Sequence, residues 1–298
     1  MNSRISKTGT YAGIWAAMFG AFVALTVSAQ QSAEVPNPHA DVLSIGGSVT
    51  EIVAALGQQH RLRARDTTSS YPPDVTHLPD VGYMRSLSPE GVLSVGPSLI
   101  LSEEGAGPPE ALEVIRAADV GFVEVPDALS TEGILRKIEI IGTALGVPKQ
   151  ADGLATEVEA AMAAALTDAK RPEAKKKRVL FVLSTQGGKI NASGAGTAAD
   201  ALIRMAGGVN AITDYEGYKQ VTDEAVGMAA PDVILMMDRG GDHGVADDEL
   251  FAMPAIKLTP AAQSRSVVRM DGLLMLGFGP RTAQAIRELN DALYGQGS

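Results

Sequence analysis

A tyrosine and an arginine lie two residues apart in the segment VGYMRSLSPEG, residues 81–91. Aromatic side chains are scarce, with 6 Tyr, 6 Phe and 1 Trp among 298 residues. The deprotonated phenol of Tyr83 would be a hard anionic donor, of the kind that binds ferric iron. Arg85, or Arg239 from a facing lobe, would favour the ionised phenol, because a nearby positive charge stabilises an anion. The second interpretation is a half-buried aromatic side chain whose hydroxyl bonds to the backbone.

The elements that position this segment occur twice in the chain. Each copy has a hydroxyl residue, an early glutamate, a short apolar helix, a proline and a β-rich strand. The copies are LSPEGVLSVGPSLIL (87–101) and VTDEAVGMAAPDVILMM (221–237). Ser88 and Thr222 are predicted to cap the two helices, and Glu90 and Glu224 suit their positive ends.

A strand, a glycine-containing turn and a helix precede each copy, at 41–57 and 177–208. Strands that alternate with helices indicate a parallel sheet in each half. Between the halves, apolar residues recur at helical spacing from Ile134 to Leu145. We therefore predict an α/β fold with two Rossmann-like lobes, central parallel sheets, a long backbone helix that joins them, and a ligand cleft between the lobes. The predicted segments are a signal peptide (1–29), an N-terminal lobe (40–126), a connecting helical segment (127–171) and a C-terminal lobe (172–298).

The first segment has Arg4 and Lys7, then an apolar run, then small residues at Ser28 and Ala29. This arrangement is typical of a signal peptide and predicts export to the periplasm; the alternative is an uncleaved membrane anchor. The absence of cysteine excludes disulfides and thiolate metal sites, and the net charge of −10 argues against nucleic acid as a partner.

Enzyme motifs are weak. SIGGS lacks the glycine spacing of a nucleophile elbow, and GAGTAADAL lacks both the dinucleotide fingerprint and the phosphate-binding lysine. The four histidines are scattered and form no zinc-ligand pair. Ligands of open α/β sheets bind beyond the carboxyl ends of the strands. We expect the lining loops to be GGS, SEEGAGPP, STQGGKINASG, MMDRGGDHG and VGYMR, and we predict a binding protein.

The chain resembles the periplasmic haem-binding proteins of bacterial ABC haem importers, within the helical-backbone substrate-binding class. The resemblance covers nearly the whole mature chain. Its strand and helix frame is common to the class, and the run from DTTS to GYMRSLSPEG resembles the haem branch specifically. The matching segments are VLSIGGSVTEIVAALG, DTTSSYPP, LPDVGYMRSLSPEGVLSVGPSLIL, EEGAGPP, GTAADALI and LLMLGFGPR.

This resemblance implies that Tyr83 binds the iron of ferric haem b, the transported ligand, and that Arg85 and Arg239 support the phenolate. It also implies that Glu90 and Glu224 dock to arginines of an inner-membrane ABC permease dimer. An outer-membrane haem uptake system is a further partner that it suggests.

Two residues of the second half bear on how many haems bind. Some relatives that hold a second haem have a histidine in the second lobe, where this chain has Gln186. One haem per protein is therefore expected. Tyr218 stands near the repeat equivalent of Tyr83, but no arginine follows two residues later, so we interpret it as a packing residue.

Two alternatives remain at this point. The same fold could carry a corrinoid or a ferric siderophore. Removing the phenol of Tyr83 would abolish a haem iron site but would matter little for a cobalamin held by its shape. A cleft enzyme acting on an extracytoplasmic substrate would have Asp238, His243 and the SIGGS serines as its candidate catalytic groups.

Overall fold

The computed structural model describes residues 41–238 and 245–295. The predicted signal peptide, Arg239 and His243 lie outside these residues. Within the described part of the chain, no helix is both long enough and apolar enough to cross a membrane.

The first half of the chain forms a four-stranded sheet in the order β2-β1-β3-β4, and every neighbouring pair is parallel. This agrees with the alternation of strands and helices in the sequence. Its elements are β1 (Val42–Ile45), α1 (Gly47–Ala55), β2 (Leu62–Arg65), α2 (Pro89–Ser94), β3 (Leu99–Glu103), α3 (Pro109–Arg116) and β4 (Gly121–Val125).

The connecting segment is helical, as predicted, and it consists of two helices. They are α4 (Thr131–Ala144) and α5 (Pro148–Asp168). Gly146, at φ 72°, breaks the run ahead of Pro148. The apolar stripe of α4 is fully buried at Ile134, Ile138 and Ile141.

The second sheet is mixed, which corrects the prediction of a parallel one. Its order is β10-β9-β5-β6-β8, and β7 pairs with β5. β6 is antiparallel to both β5 and β8. The elements are β5 (Arg178–Ser184), β6 (Ile190–Ser193), α6 (Ala198–Met205), β7 (Val209–Asn210), β8 (Tyr218–Val221), α7 (Asp223–Ala229), β9 (Val233–Asp238), α8 (Asp247–Ala252), α9 (Pro260–Ser264), β10 (Val267–Asp271), α10 (Gly272–Leu276) and α11 (Thr282–Tyr294).

The cause of this difference is the GGK turn after β5. Gly187 and Gly188 adopt φ values of 67° and 73°, which glycine reaches without the steric cost of a Cβ. The chain reverses there and pairs β6 with the strand it has just left. The segment STQGGKINASG is therefore a turn plus a strand, and only its first part remains a loop.

The internal repeat is confirmed in three dimensions. The hydroxyl oxygens of Ser88 and Thr222 accept hydrogen bonds from backbone N–H groups three residues later, at 3.3 and 3.1 Å. The backbone turns left-handed near both helix ends, at Gly96 (φ 62°) and Ala230 (φ 42°). The strands that follow, β3 and β9, lie inside their respective sheets.

One apolar cluster runs through both halves, from Val42 on β1 to Leu293 on α11, and includes the buried face of α4. The two sheets therefore share a continuous core. The lobe boundaries given above remain a prediction.

Candidate functional site

Tyr83 projects from a turn between two buried side chains of the same segment. Its side chain is 49% exposed, whereas Val81 and Met84 are buried. The turn is closed by the N–H of Ser86, which donates to the carbonyl of Tyr83 at 2.8 Å. The buried side chains of Val81 and Met84 hold the backbone of the turn, and the phenol of Tyr83 stays outside the core.

Asp80 fixes the start of this turn. Its carboxylate accepts hydrogen bonds from the N–H of Gly82 at 2.8 Å and from the hydroxyl of Thr67 at 3.1 Å, and it pairs with Arg65 at 2.7 Å. The N–H of Thr67 also donates to the carbonyl of Gly82 at 3.0 Å. Gly82 has φ 99°, a backbone conformation that residues with a Cβ rarely adopt.

The loop after β3 fixes the other end of the turn. The N–H of Leu87 donates to the carbonyl of Gly107, and the N–H of Gly107 donates to the carbonyl of Met84, both at 2.8 Å. The Tyr83 turn thus lies between the loops that follow β2 and β3. This is the edge of a parallel sheet at which ligands bind.

Arg85 is exposed, and its charge acts on a tyrosine of the second half of the chain. Burial raises the pKa of Tyr218, and the positive charge of Arg85 opposes that rise. Hydrogen bonds that the Tyr218 oxygen accepts from the Thr197 side chain and the Ala199 backbone also oppose it. The Tyr218 ring packs edge-on against Phe181, with centroids 6.2 Å apart. Arg85 of the Tyr83 turn and Tyr218 of β8 therefore lie within electrostatic range of each other.

Sequence reasoning missed a buried lysine beneath this edge. Lys137 is fully buried, and its Nζ lies 2.6 Å from Glu103 Oε1 and 3.0 Å from Asp127 Oδ1. The same Nζ donates to the Ser48 hydroxyl at 3.2 Å and to the Gly277 carbonyl at 3.5 Å. Glu103 ends β3, directly before the loop that braces the Tyr83 turn. The sequence feature that could have revealed this buried charge is the position of Lys137 within the apolar stripe of α4.

Among the described residues, no group of three or more histidine, aspartate or glutamate side chains is placed to hold a metal ion. The phenol of Tyr83 is the iron-binding candidate that the sequence predicted.

Residues 42–273 match the model of the periplasmic binding protein family. The chain belongs to this family. Its members are substrate-binding proteins of ABC transporters, so the prediction that the protein is not an enzyme is confirmed and the cleft-enzyme alternative is wrong.

Known relatives of this periplasmic binding protein differ in their named ligands. The solved structure of the periplasmic haem-binding protein BhuT, in complex with two haems, is 38% identical, with a TM-score of 0.81 over 85% of this chain and 97% of that chain. An uncharacterised ABC transporter substrate-binding lipoprotein, YvrC of Bacillus subtilis, is 27% identical over 91% of this chain and 85% of its own. A vitamin B12-binding protein of Pectobacterium carotovorum is 25% identical over 77% of this chain and 83% of its own.

Glu90 and Glu224 occupy matched positions in this periplasmic binding protein. Both are exposed, and each lies in the first turn of its helix, on α2 and α7. Arg239, the second predicted supporting arginine, comes directly after β9 but lies outside the described residues.

Proposed function

We propose that this periplasmic binding protein captures ferric haem between its two lobes, with the Tyr83 phenolate as iron ligand. The observation that carries the proposal is the half-exposed phenol of Tyr83 on a turn braced from both sides, at the ligand-binding edge of the first sheet. A ligand held on a rigid support loses little conformational entropy when the iron binds. The likeness to BhuT, at 38% identity, supports haem as the cargo.

Arg85 and Arg239 are the proposed electrostatic supports of the site. Arg85 lies two residues from Tyr83 in the sequence, and its positive charge lowers the pKa of Tyr218 in the other half of the chain. We propose that it stabilises anionic groups in the cleft, including the phenolate and the carboxylates of haem.

Delivery is the second part of the proposal. The protein is exported by its N-terminal segment, 1–29, acts in the periplasm in iron acquisition, and passes haem to an ABC permease dimer through Glu90 and Glu224. An outer-membrane haem uptake system would supply the cargo. We propose one haem per protein. Gln186 occupies the short turn after β5, where a histidine would be needed to bind the iron of a second haem.

The experiment is a haemin titration followed by absorption spectroscopy. Tyr83→Phe keeps the ring but removes the oxygen, so the ferric phenolate charge-transfer band should disappear and haemin should bind more weakly. Tyr218→Phe is the matched control, because it removes the half-buried phenol of the opposite half, and it should keep the band. An unchanged spectrum in Tyr83→Phe would exclude this ligand, and saturation at two haems would exclude the stoichiometry.

A corrinoid is the second candidate, supported by the vitamin B12-binding relative. Titration with cyanocobalamin separates the two candidates. Tight cobalamin binding that is indifferent to Tyr83→Phe would favour the corrinoid.

A further inference from the structure

Tyr71 is an exposed aromatic residue with an arginine on one face of its ring. Its side chain is 39% exposed, and the guanidinium carbon of Arg281 lies 3.5 Å from the ring centroid. Such close stacking of a guanidinium on an aromatic ring is favourable through the ring quadrupole. One face of the Tyr71 ring is therefore covered by Arg281.

Arg281 is held in place by a buried carboxylate. Glu51 is 4% exposed, and it accepts hydrogen bonds from the backbone N–H of Arg281 at 3.0 Å and from its guanidinium at 2.9 Å. Nε of Arg281 is buried and finds no partner among the described residues. The ion pair with Glu51 holds the guanidinium, and the backbone hydrogen bond to the same carboxylate holds the main chain of Arg281. The guanidinium is therefore a rigid support for the Tyr71 ring.

The loop that carries Tyr71 is equally rigid and adjoins the Tyr83 turn. Asp66, fully buried, accepts hydrogen bonds from the N–H of Gly46 at 3.0 Å, the N–H of Thr68 at 3.0 Å and the hydroxyl of Ser69 at 2.7 Å. The next residue, Thr67, bonds to the Tyr83 turn through the carbonyl of Gly82. Tyr71 and Tyr83 therefore stand on connected loops at the same sheet edge.

We propose that the free face of Tyr71, backed by Arg281, is a stacking wall for the flat ring of the tetrapyrrole. This inference rests on the proposed function and adds recognition of the ring plane, independent of iron. Aromatic side chains favour offset stacking on planar π systems, and a rigid ring loses little entropy in doing so. Tyr83 recognises the metal, and Tyr71 recognises the macrocycle.

Two probes separate these roles: haemin, and protoporphyrin IX, which has the same ring without iron. Tyr71→Ala should weaken the binding of both by about two- to tenfold, the range that a stacked aromatic pair contributes. Tyr71→Leu should do the same while still covering Arg281, and Tyr71→Phe should keep the affinity of the parent. Tyr83→Phe should weaken haemin alone.

Phe122→Ala is the matched control, because Arg116 lies over Phe122 at 4.9 Å in an arginine–aromatic pair on the last strand of the first sheet. It should leave both affinities unchanged, and thermal unfolding would check that each variant is folded. Unchanged binding of both probes by folded Tyr71→Ala and Tyr71→Leu would overturn the stacking wall and leave the proposed function standing. A loss restricted to haemin would also overturn it. Failure of the parent protein to bind either probe would overturn both.

Discussion

At the scale of single residues, the candidate site depends on which side chains the turn around Tyr83 exposes. Val81, Met84 and Leu87 are buried, and Tyr83 and Arg85 between them are exposed. The backbone bonds to Gly82 and Gly107 keep this alternation in place. The same turn thus exposes a phenol and a cation two residues apart.

We expect Arg85→Ala to raise the pH at which Tyr218 ionises. The pKa of Tyr218 is already raised by burial, and Arg85 opposes that rise because a positive charge stabilises the phenolate. Removing the charge therefore moves the ionisation upward. A near-ultraviolet pH titration at low salt measures this, with Tyr218→Phe to assign the transition.

Arg85→Lys is the control for that titration, because it keeps a positive charge at the same position. It should titrate close to the parent. Identical titrations for the alanine variant and the parent would show that Arg85 does not act on Tyr218.

At the scale of secondary structure elements, helix α4 does more than connect the two halves. Its one buried charged residue among those described, Lys137, joins the ends of β3 and β4 to the start of α1 and to the segment after α10. A buried ion pair contributes little net stability, but breaking it by removing one partner is costly. The pair therefore specifies how these elements meet.

Lys137→Met should lower the free energy of unfolding by about 3–5 kcal/mol near pH 8. Burial is the main cause that raises the pKa of Glu103, and Lys137 is the main group that lowers it. Without the lysine, the pKa of Glu103 in the folded state rises further above its unfolded value. The folded variant then binds a proton more readily than the unfolded chain, so it gains stability as pH falls toward the unfolded pKa of about 4.3. The penalty should therefore be smaller at pH 5 than at pH 8, as urea unfolding would measure.

The double variant Lys137→Met, Glu103→Leu removes both buried charges and should recover much of the lost stability. A penalty for Lys137→Met that is equal at the two pH values would contradict the assignment to an unpaired Glu103.

At the scale of the whole molecule, the repeat places one exposed glutamate at a helix start in each half. A two-lobed protein that meets a two-fold permease would make one such contact per lobe. Neither Glu90 nor Glu224 belongs to the turn of Tyr83 or to the loop of Tyr71.

Glu90→Ala and Glu224→Ala should each raise the concentration of protein needed for half-maximal haem transport by about two- to fivefold. This range corresponds to one exposed ion pair worth about 0.5–1 kcal/mol. The double variant should be weaker than either, and haemin binding should be unchanged in all three. Proteoliposomes that contain its ABC transporter provide the measurement.

Glu132→Ala is the control, since Glu132 is also an exposed first-turn glutamate behind a capping serine. It should transport like the parent protein. Parental transport by the double variant would remove the docking role.

Features that depend on residues close together in the chain could be predicted from the sequence. Caps at Ser88 and Thr222, the buried stripe of α4 and the repeated helix–strand units each follow from spacings of a few residues, and the structure has them all. The family also followed from the sequence, because its motifs are contiguous segments. Local hydrogen bonds and helical periodicity are encoded where they act.

Contacts between residues that are distant in the chain could not be predicted in this way and are seen only in the folded protein. Lys137 meets Ser48 and Gly277 across 89 and 140 positions, and Arg281 meets Glu51 across 230. Burial of a charge depends on partners that folding brings together, and no short window of sequence contains both partners.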